Sequence, residues 1–420
     1  MKEEYLHYLW KTKNIPQQNL TLTDGRKVII QSFGIHNHDS GPDFSNGTVI
    51  IDGITWMGNI EIHINSSDWY KHNHQSDPAY DNVILHVVLN FDKPVFINKE
   101  EVPTIALKNY IPVNHFKQYS LMLNNSKWIP CYDSFNSVDR IHVNSQIDFA
   151  IIQRLERKTN LISSRFKALN FDLNQLIIEQ VASIMGTKVN RLPMQELIQK
   201  IPASIYWKEN KEMIEAILLD VANLLPTNMN DYHIENLKEQ GKFYRTKYNL
   251  HQMNPASWKF FGTRAPGFPP FRIAQLAALI TNQKFFDFLN SPIEEWLNWF
   301  LHEIFTTNEY WTTHYHFEVE TKKHQTTISD NTKDLIVINV IIPIMYWWGI
   351  YQHNEKWIEN AINLLENIKP ENNEIIKKWK KMGLSLISAK DSQGLLELKN
   401  EFCSRKKCLS CKIGHQLLKQ

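Results

Sequence analysis

The hydrophobic positions of the chain fall into two regimes. Between about residues 26 and 111 they come in short β-rich runs, "RKVIIQSFG", "GTVIID", "ITWMGNIEIHIN", "NVILHVVLN" and "TIALKNY", divided by turn residues. Along "NIEIHIN" the alternation puts Ile60, Ile62 and Ile64 on one face and Glu61 and His63 on the other, because successive side chains of a strand point to opposite faces. Asp52-Gly53 is the dipeptide a tight hairpin favours. "NVILHVVLN" is apolar nearly throughout, as a central strand covered on both faces would be. A helix over residues 3–13 precedes these runs, and "SSDWYKHNH" opens on a Ser/Asp cap that predicts a helical turn. The order helix, three strands, short helix, strand, strand predicts a mixed α/β sheet that begins as a meander.

After Tyr110 the period changes. "NSQIDFAIIQRLERKTNLISSRFKALN", "MIEAILLDVANLL", "FRIAQLAALITN" and "IEEWLNWFLHEIF" carry apolar residues at helical spacing, separated by Pro193, Pro202, Pro226 and the loop "GTRAPGFPP". The predicted division is an α/β domain over residues 1–112, a linker or docking loop over 113–136, and a mainly α-helical domain over 137–420. "LIVINVIIPIMYWWGI", at 335–350, is shorter than a membrane span and contains Pro343, so it predicts a buried helix.

Composition narrows the function classes. With 46 basic and 44 acidic residues the net charge is +2, so a nucleic-acid partner needs a local basic surface rather than a global field. "MKEEYLHYLWKTKN" is too charged for a secretory leader, and four cysteines in 420 residues make no secreted disulfide framework. The chain reads as cytoplasmic, with no membrane partner, and its oligomeric state stays open. It contains no P-loop, G-x-G-x-x-G, G-x-S-x-G or H-E-x-x-H, which leaves nucleotide hydrolysis, Rossmann redox chemistry, the serine-hydrolase elbow and zincin proteolysis unsupported.

The candidate chemistry gathers on one sheet edge. Asp43 follows the Gly41-Pro42 turn, and a hairpin about Asp52-Gly53 carries it back alongside Glu61. Strict pairing sets Asp43 opposite residue 62, on the isoleucine face, so a bulge or a one-residue shift is needed to bring the two carboxylates together. Together Asp43 and Glu61 suit Mg²⁺ or Mn²⁺, with water and phosphate completing the shell. His63 then ligates the ion or orients the attacking water, and His72 and His74 stand ready for the phosphate. The plain alternative is an alternating strand with a solvated polar face.

Two other constellations stand out. Cys403, Cys408 and Cys411 form C-x4-C-x2-C, with Cys131 far upstream. With Cys131 as fourth ligand the set suits zinc or an Fe–S cluster; with His415 it suits zinc; otherwise the thiols are reduced and partly buried. Lys259, Arg264 and Arg272 surround an aromatic, Pro-rich loop that either holds phosphate or is packed by its own rings. In "YWTTHYHFE" the two histidines read as packing.

Pro42-Asp43 followed by Glu61-Ile62-His63 resembles the PD-(D/E)XK nuclease superfamily, as does the element order of residues 3–111. The resemblance implies a restriction-endonuclease-like sheet, an acidic pair on the metal and a lysine activating the water. His63 stands where that lysine would be. The single remote cysteine and the terminal three are similar to the layout that staples some helicase-associated members, though with different spacing. "EEYLHYLW", "GPDF", "GNIEIH", "SSDWYKHNHQSDPAYDNVILHVV", "FPPFRIAQLA" and "CSRKKCLSCKIG" resemble an uncharacterised bacterial family, domain of unknown function 2851, over nearly the whole chain, and that resemblance implies no activity. The expectation is a divalent-metal nuclease; the alternatives are a catalytically degenerate nucleic-acid- or protein-binding module on the same scaffold, or another metal-dependent hydrolase using the His-rich edge with Mn²⁺ or Zn²⁺.

Overall fold

The computed structural model describes residues 3–15, 20–37, 39–111, 113–229 and 231–419. The chain forms two units, one built from Met1–Gln146 together with Lys399–Gln420, the other from Ile147–Leu398. This differs from the division expected at 113–136. Pro112 lies outside the described residues, and the expected linker contains a helix, Val113–Asn124, and runs into a 3-10 turn, Phe135–Ser137. The C-terminal stretch joins the first unit because its polar groups are satisfied there. Lys412 N–H donates to Gln146 Oε1 (2.8 Å), and Lys399 Nζ donates to the Trp128 carbonyl (2.9 Å). Bonds between residues 266 and 271 positions apart leave no trace in local periodicity.

The first unit opens with α1 (Glu3–Lys11), whose Tyr5, Leu6, Tyr8, Leu9 and Trp10 are buried. Strands β1 (Leu20–Thr21), β2 (Lys27–Ser32), β3 (Ile35–His36), β4 (Phe44–Ile51) and β5 (Ile54–Asn65) follow. Next come the short helix α2 (Asp68–Lys71), β6 (Val83–Asn90), a small hairpin β7 (Phe96–Ile97) and β8 (Glu100–Glu101), and β9 (Thr104–Ala106). The seven-stranded sheet runs β1-β2-β4-β5-β6-β9, with β3 also on β4. Its first part is antiparallel, while β6 lies parallel to both β5 and β9. That position explains the apolar β6: residues 83–88 are buried, as a strand covered on both faces requires. α1 is tied to the following helix α3 (Val113–Asn124) through His115, whose two nitrogens meet Tyr5 Oη (2.7 Å) and Asn14 Nδ2 (3.1 Å).

The β4–β5 hairpin turns at Asp52 and Gly53, both with φ > 0 (51° and 79°), the geometry a two-residue turn demands. Pairing is regular from Ile51↔Ile54 to Gly47↔Gly58, then shifts so that Phe44 faces Ile60. Three steps along β4 are matched by two along β5, and Asn46 absorbs the extra residue with φ 56°. The shift moves the residue before Phe44 into the position opposite Glu61.

The second unit is mainly helical around one large apolar core that takes in Leu176, Leu218, Leu276, Trp296, Trp311 and Trp347. Its helices start where short polar side chains accept first-turn amides. Asp172, Asn210, Asp231 and Ser329 each do so, and Ser388 with Asp391 completes a capping box. Asp330–Tyr351 is long and apolar enough to cross a membrane by length and composition, and 67% of its apolar window is buried in the protein. Inside it, Val337–Ile341 widens to a π-turn ahead of Pro343. Proline has no N–H to return to the carbonyl four residues back, which frees Asn339 C=O. Lys158 Nζ donates to that carbonyl (3.1 Å) and to Asn339 Oδ1 (3.3 Å).

Candidate metal centre

Asp43 is positioned from both sides. Before it, Asn37 Nδ2 donates to the Ser40 and Pro42 carbonyls, and Asn37 N–H donates to Asp43 C=O (2.7 Å), which fixes the Gly41-Pro42 turn. Across the sheet, Asp43 N–H donates to Glu61 Oε2 (3.0 Å) while Ile62 N–H donates to Asp43 Oδ2 (2.9 Å). The same Oδ2 lies 3.2 Å from His7 Nε2 on α1.

Glu61 and His63 share one face of β5 and are nearly inaccessible, at 4% and 1% exposure. Covering them is the segment after β5. α2 begins at Asp68, whose Oδ2 accepts from Asn65 N–H. Ser67, expected to cap this helix, instead gives its N–H and Oγ to Asp92. Asn73, with φ 62°, then turns the chain so that His74 enters a 3-10 turn, His74–Ser76, and stacks on Tyr80 at 3.8 Å between ring centroids.

The polar atoms that meet there are closely spaced. His63 Nε2 lies 3.1 Å from His72 Nδ1 and 3.6 Å from Glu61 Oε1, and His74 Nε2 lies 3.3 Å from the same Oε1. One nitrogen from each of His63, His72 and His74 falls within 4.8 Å of the others. Ligands held tetrahedrally at about 2.0–2.1 Å from one ion stand about 3.3 Å apart, so these three pairs have the spacing of neighbouring ligands. Behind them, His86 on β6 brings Nε2 to 2.8 Å from His63 Nδ1. That bond fixes the ring and leaves Nε2 directed to the cluster, the usual service of an outer-shell partner. His86 itself is fully buried, and its Nδ1 has no hydrogen-bond partner.

Burial controls the protonation of this group. It pushes His63 down to about 2, helped by the neighbouring His86, His74 and His72, and pushes His86 down to about 3, so both rings are neutral and able to act as acceptors or ligands. Burial also raises Glu61, against the pull of His74. At His7 burial works against the charge, but the hydrogen bond and the charge of Asp43 outweigh it and raise the imidazole.

The sequence-derived set is thus partly redistributed. Asp43 and Glu61 do meet, but Asp43 Oδ2 is occupied by the Ile62 amide and by His7; the groups mutually at ligand spacing are His63, His72 and His74, with Glu61 beside His63 and His74. His72 and His74, expected at a phosphate, are turned toward His63 and Glu61. Imidazoles favour zinc, iron and related transition ions, whereas Mg²⁺ takes oxygen ligands; the donor set fits the former. Lys259, Arg264 and Arg272 belong to the other unit. Lys259 exchanges backbone hydrogen bonds with the Asn190 amide side chain, Arg272 Nη1 donates to Gln275 Oε1, and Arg264 is exposed. His314 stacks on Tyr310 and His316 on the Phe260 ring edge, as packing. His7 and His86 escaped the sequence reading, although the apolar strand "NVILHVVLN" offered a signal in its one histidine.

His7 also lines a cleft of about 800 Å³ within the first unit, with His36 beside it. Four cations, Lys11, Arg405, Lys406 and Lys407, line this cleft against one carboxylate, Glu4. Three of the four come from the C-terminal segment, between the cysteines of the terminal motif.

Comparison with known proteins adds a family. No curated protein and no solved structure matches the chain. Residues 3–374 match the family described as "Protein of unknown function (DUF2851)". A match over so much of its length assigns the chain: it belongs to the DUF2851 family.

Proposed function

We propose that the protein is a metal-dependent phosphodiester hydrolase acting on nucleic acid, with its ion held by Glu61, His63, His72 and His74. The observation that carries the reading is the convergence of His63, His72 and His74 within 4.8 Å of one another, with Glu61 Oε1 3.3 Å from His74 and 3.6 Å from His63, and with His86 bonded behind His63. A bound ion of this class supplies a Lewis acid and a water of lowered pKa. The chain's own groups do the rest. His63 and His86 stay neutral, and Asp43 orients His7 at the edge of the cleft and favours its charged form. Lys11, Arg405, Lys406 and Lys407 supply the positive lining that a polyanion needs when the net charge of the chain is only +2. The element order of the first unit, helix, antiparallel meander, short helix and parallel strand, supports the restriction-endonuclease-like reading, with histidine in place of lysine.

A non-cleaving nucleic-acid-binding module on this scaffold is the second reading. It is favoured by the engagement of both His63 nitrogens, which leaves no free base at the lysine position. The test is to strip the purified chain with chelator, reload it with Zn²⁺, Mn²⁺ or Mg²⁺, and follow metal content together with cleavage of single- and double-stranded DNA and RNA. The hydrolase reading expects stoichiometric Zn²⁺ or Mn²⁺, and cleavage abolished by His72→Ala and Glu61→Ala. Retention of metal by both variants would overturn the site. Metal-dependent binding without cleavage would replace the first reading by the second.

A further inference from the structure

The first unit is assembled from two stretches of chain that are separated by the whole of the second unit. Cys131 lies in the first stretch, and Cys403, Cys408 and Cys411 lie in the second. All four are free thiols and all four line one small cavity, together with Met122, Pro130, Phe402, Lys407 and Gly414. These are the only cysteines in 420 residues, so their convergence uses the entire thiol content of the chain at one point.

The surroundings are shaped for sulfur ligands. The amides of Ile413 and Gly414 point at the Cys411 sulfur, the type of N–H contact that tunes metal-bound thiolates. Gly414 is required by the approach of the motif to itself, since a Cβ there would stand 2.1 Å from the Cys408 carbonyl oxygen. Four thiolates suit a soft metal group, either a tetrahedral zinc ion or an iron–sulfur cluster.

We propose that Cys131, Cys403, Cys408 and Cys411 ligate a metal group, a zinc ion or an iron–sulfur cluster, that staples the two halves of the first unit together and fixes the basic loop at residues 404–407 along the cleft. The loop is the direct span between two ligands, Cys403 and Cys408. It closes against α3 through Lys406 Nζ, which donates to the Leu123 carbonyl. A cross-link between positions so far apart removes more freedom from the unfolded chain than any single local bond. The staple stands independently of the histidine site and of any hydrolysis there.

The test is anaerobic purification of the full chain, with iron, acid-labile sulfide and zinc measured beside the visible spectrum. The His72→Ala chain, which lacks the histidine centre, isolates the metal on the cysteines. The expected result there is either iron and sulfide in comparable amounts with a brown colour or one colourless zinc, lost in both cases when Cys403→Ser or Cys131→Ser is added. Removal of that metal should also expose residues 404–407 to trypsin. His72→Ala protein with neither metal would overturn the site, whether or not the other variants fold. Unchanged metal content on adding Cys131→Ser would overturn the staple.

Discussion

Asp43 and Glu61 hold each other by exchange: the amide of Asp43 binds the carboxylate of Glu61, and the amide next to Glu61, that of Ile62, binds the carboxylate of Asp43. The pair is therefore structural before it is chemical. Each carboxylate accepts a backbone amide from the facing stretch, beyond the register shift at Asn46. Asp43→Ala leaves the Ile62 amide unpaired at a partly buried position, and should cost about 1–3 kcal/mol. Asp43→Asn, which keeps one acceptor, should recover most of that. Urea midpoints of the three proteins check this, and equal stability of the Ala and Asn variants would contradict it.

His86 is expected to act on metal affinity without touching the ion. His86→Leu removes the 2.8 Å bond that fixes the His63 ring. Loss of such a partner weakens metal binding by about 10–100-fold. Competition with a chromophoric chelator measures it, and an unchanged dissociation constant would remove His86 from the site.

In the second unit, Glu215 gives the stability a pH dependence. Burial raises its carboxyl to about 7, although Trp311 Nε1 donates to it at 2.6 Å. The folded state therefore keeps a proton that the unfolded state releases near 4.5. Its contribution is present in full below about pH 4.5 and is lost as pH rises through 7, on the order of 3 kcal/mol in all. Glu215→Gln should remove this slope, which unfolding measured between pH 4.5 and 8 would show.

Lys158 and Pro343 should be coupled through Asn339. Lys158→Met strands the freed carbonyl and should cost about 1–3 kcal/mol. Pro343→Ala restores an N–H donor within the helix, so the same lysine substitution should cost less in that background. A double-mutant cycle measures the difference; additive costs would break the link.

Much of this was legible in the sequence, and the failures share one cause. The hairpin turn at Asp52-Gly53, the buried β6, the need for a one-residue shift before Asp43, and the helices containing Leu218, Leu276 and Trp296 all arise from residue type and short-range pattern. What local pattern could not carry was partnership at a distance. Asp92 takes Ser67 from its expected cap, His7 reaches Asp43 from α1, and the C-terminal stretch docks on residues 128 and 146, far from it in sequence. The site shifted for the same reason. The sequence shows Glu61 and His63 as neighbours on a strand, but only the turn at Asn73 brings His74 back over them.

The split first unit also sets an order of events during synthesis. Its strands emerge early, yet residues 399–419 come only after the roughly 250 residues of Ile147–Leu398. At about 5–20 residues per second that is an interval on the order of 10–50 s. Throughout it the wall bearing Cys131 has no counterpart, while the helical unit is free to fold first. The nascent protein thus passes that interval with its cleft open along one side, and any metal group that needs the last three cysteines can be delivered only after residue 411 has emerged.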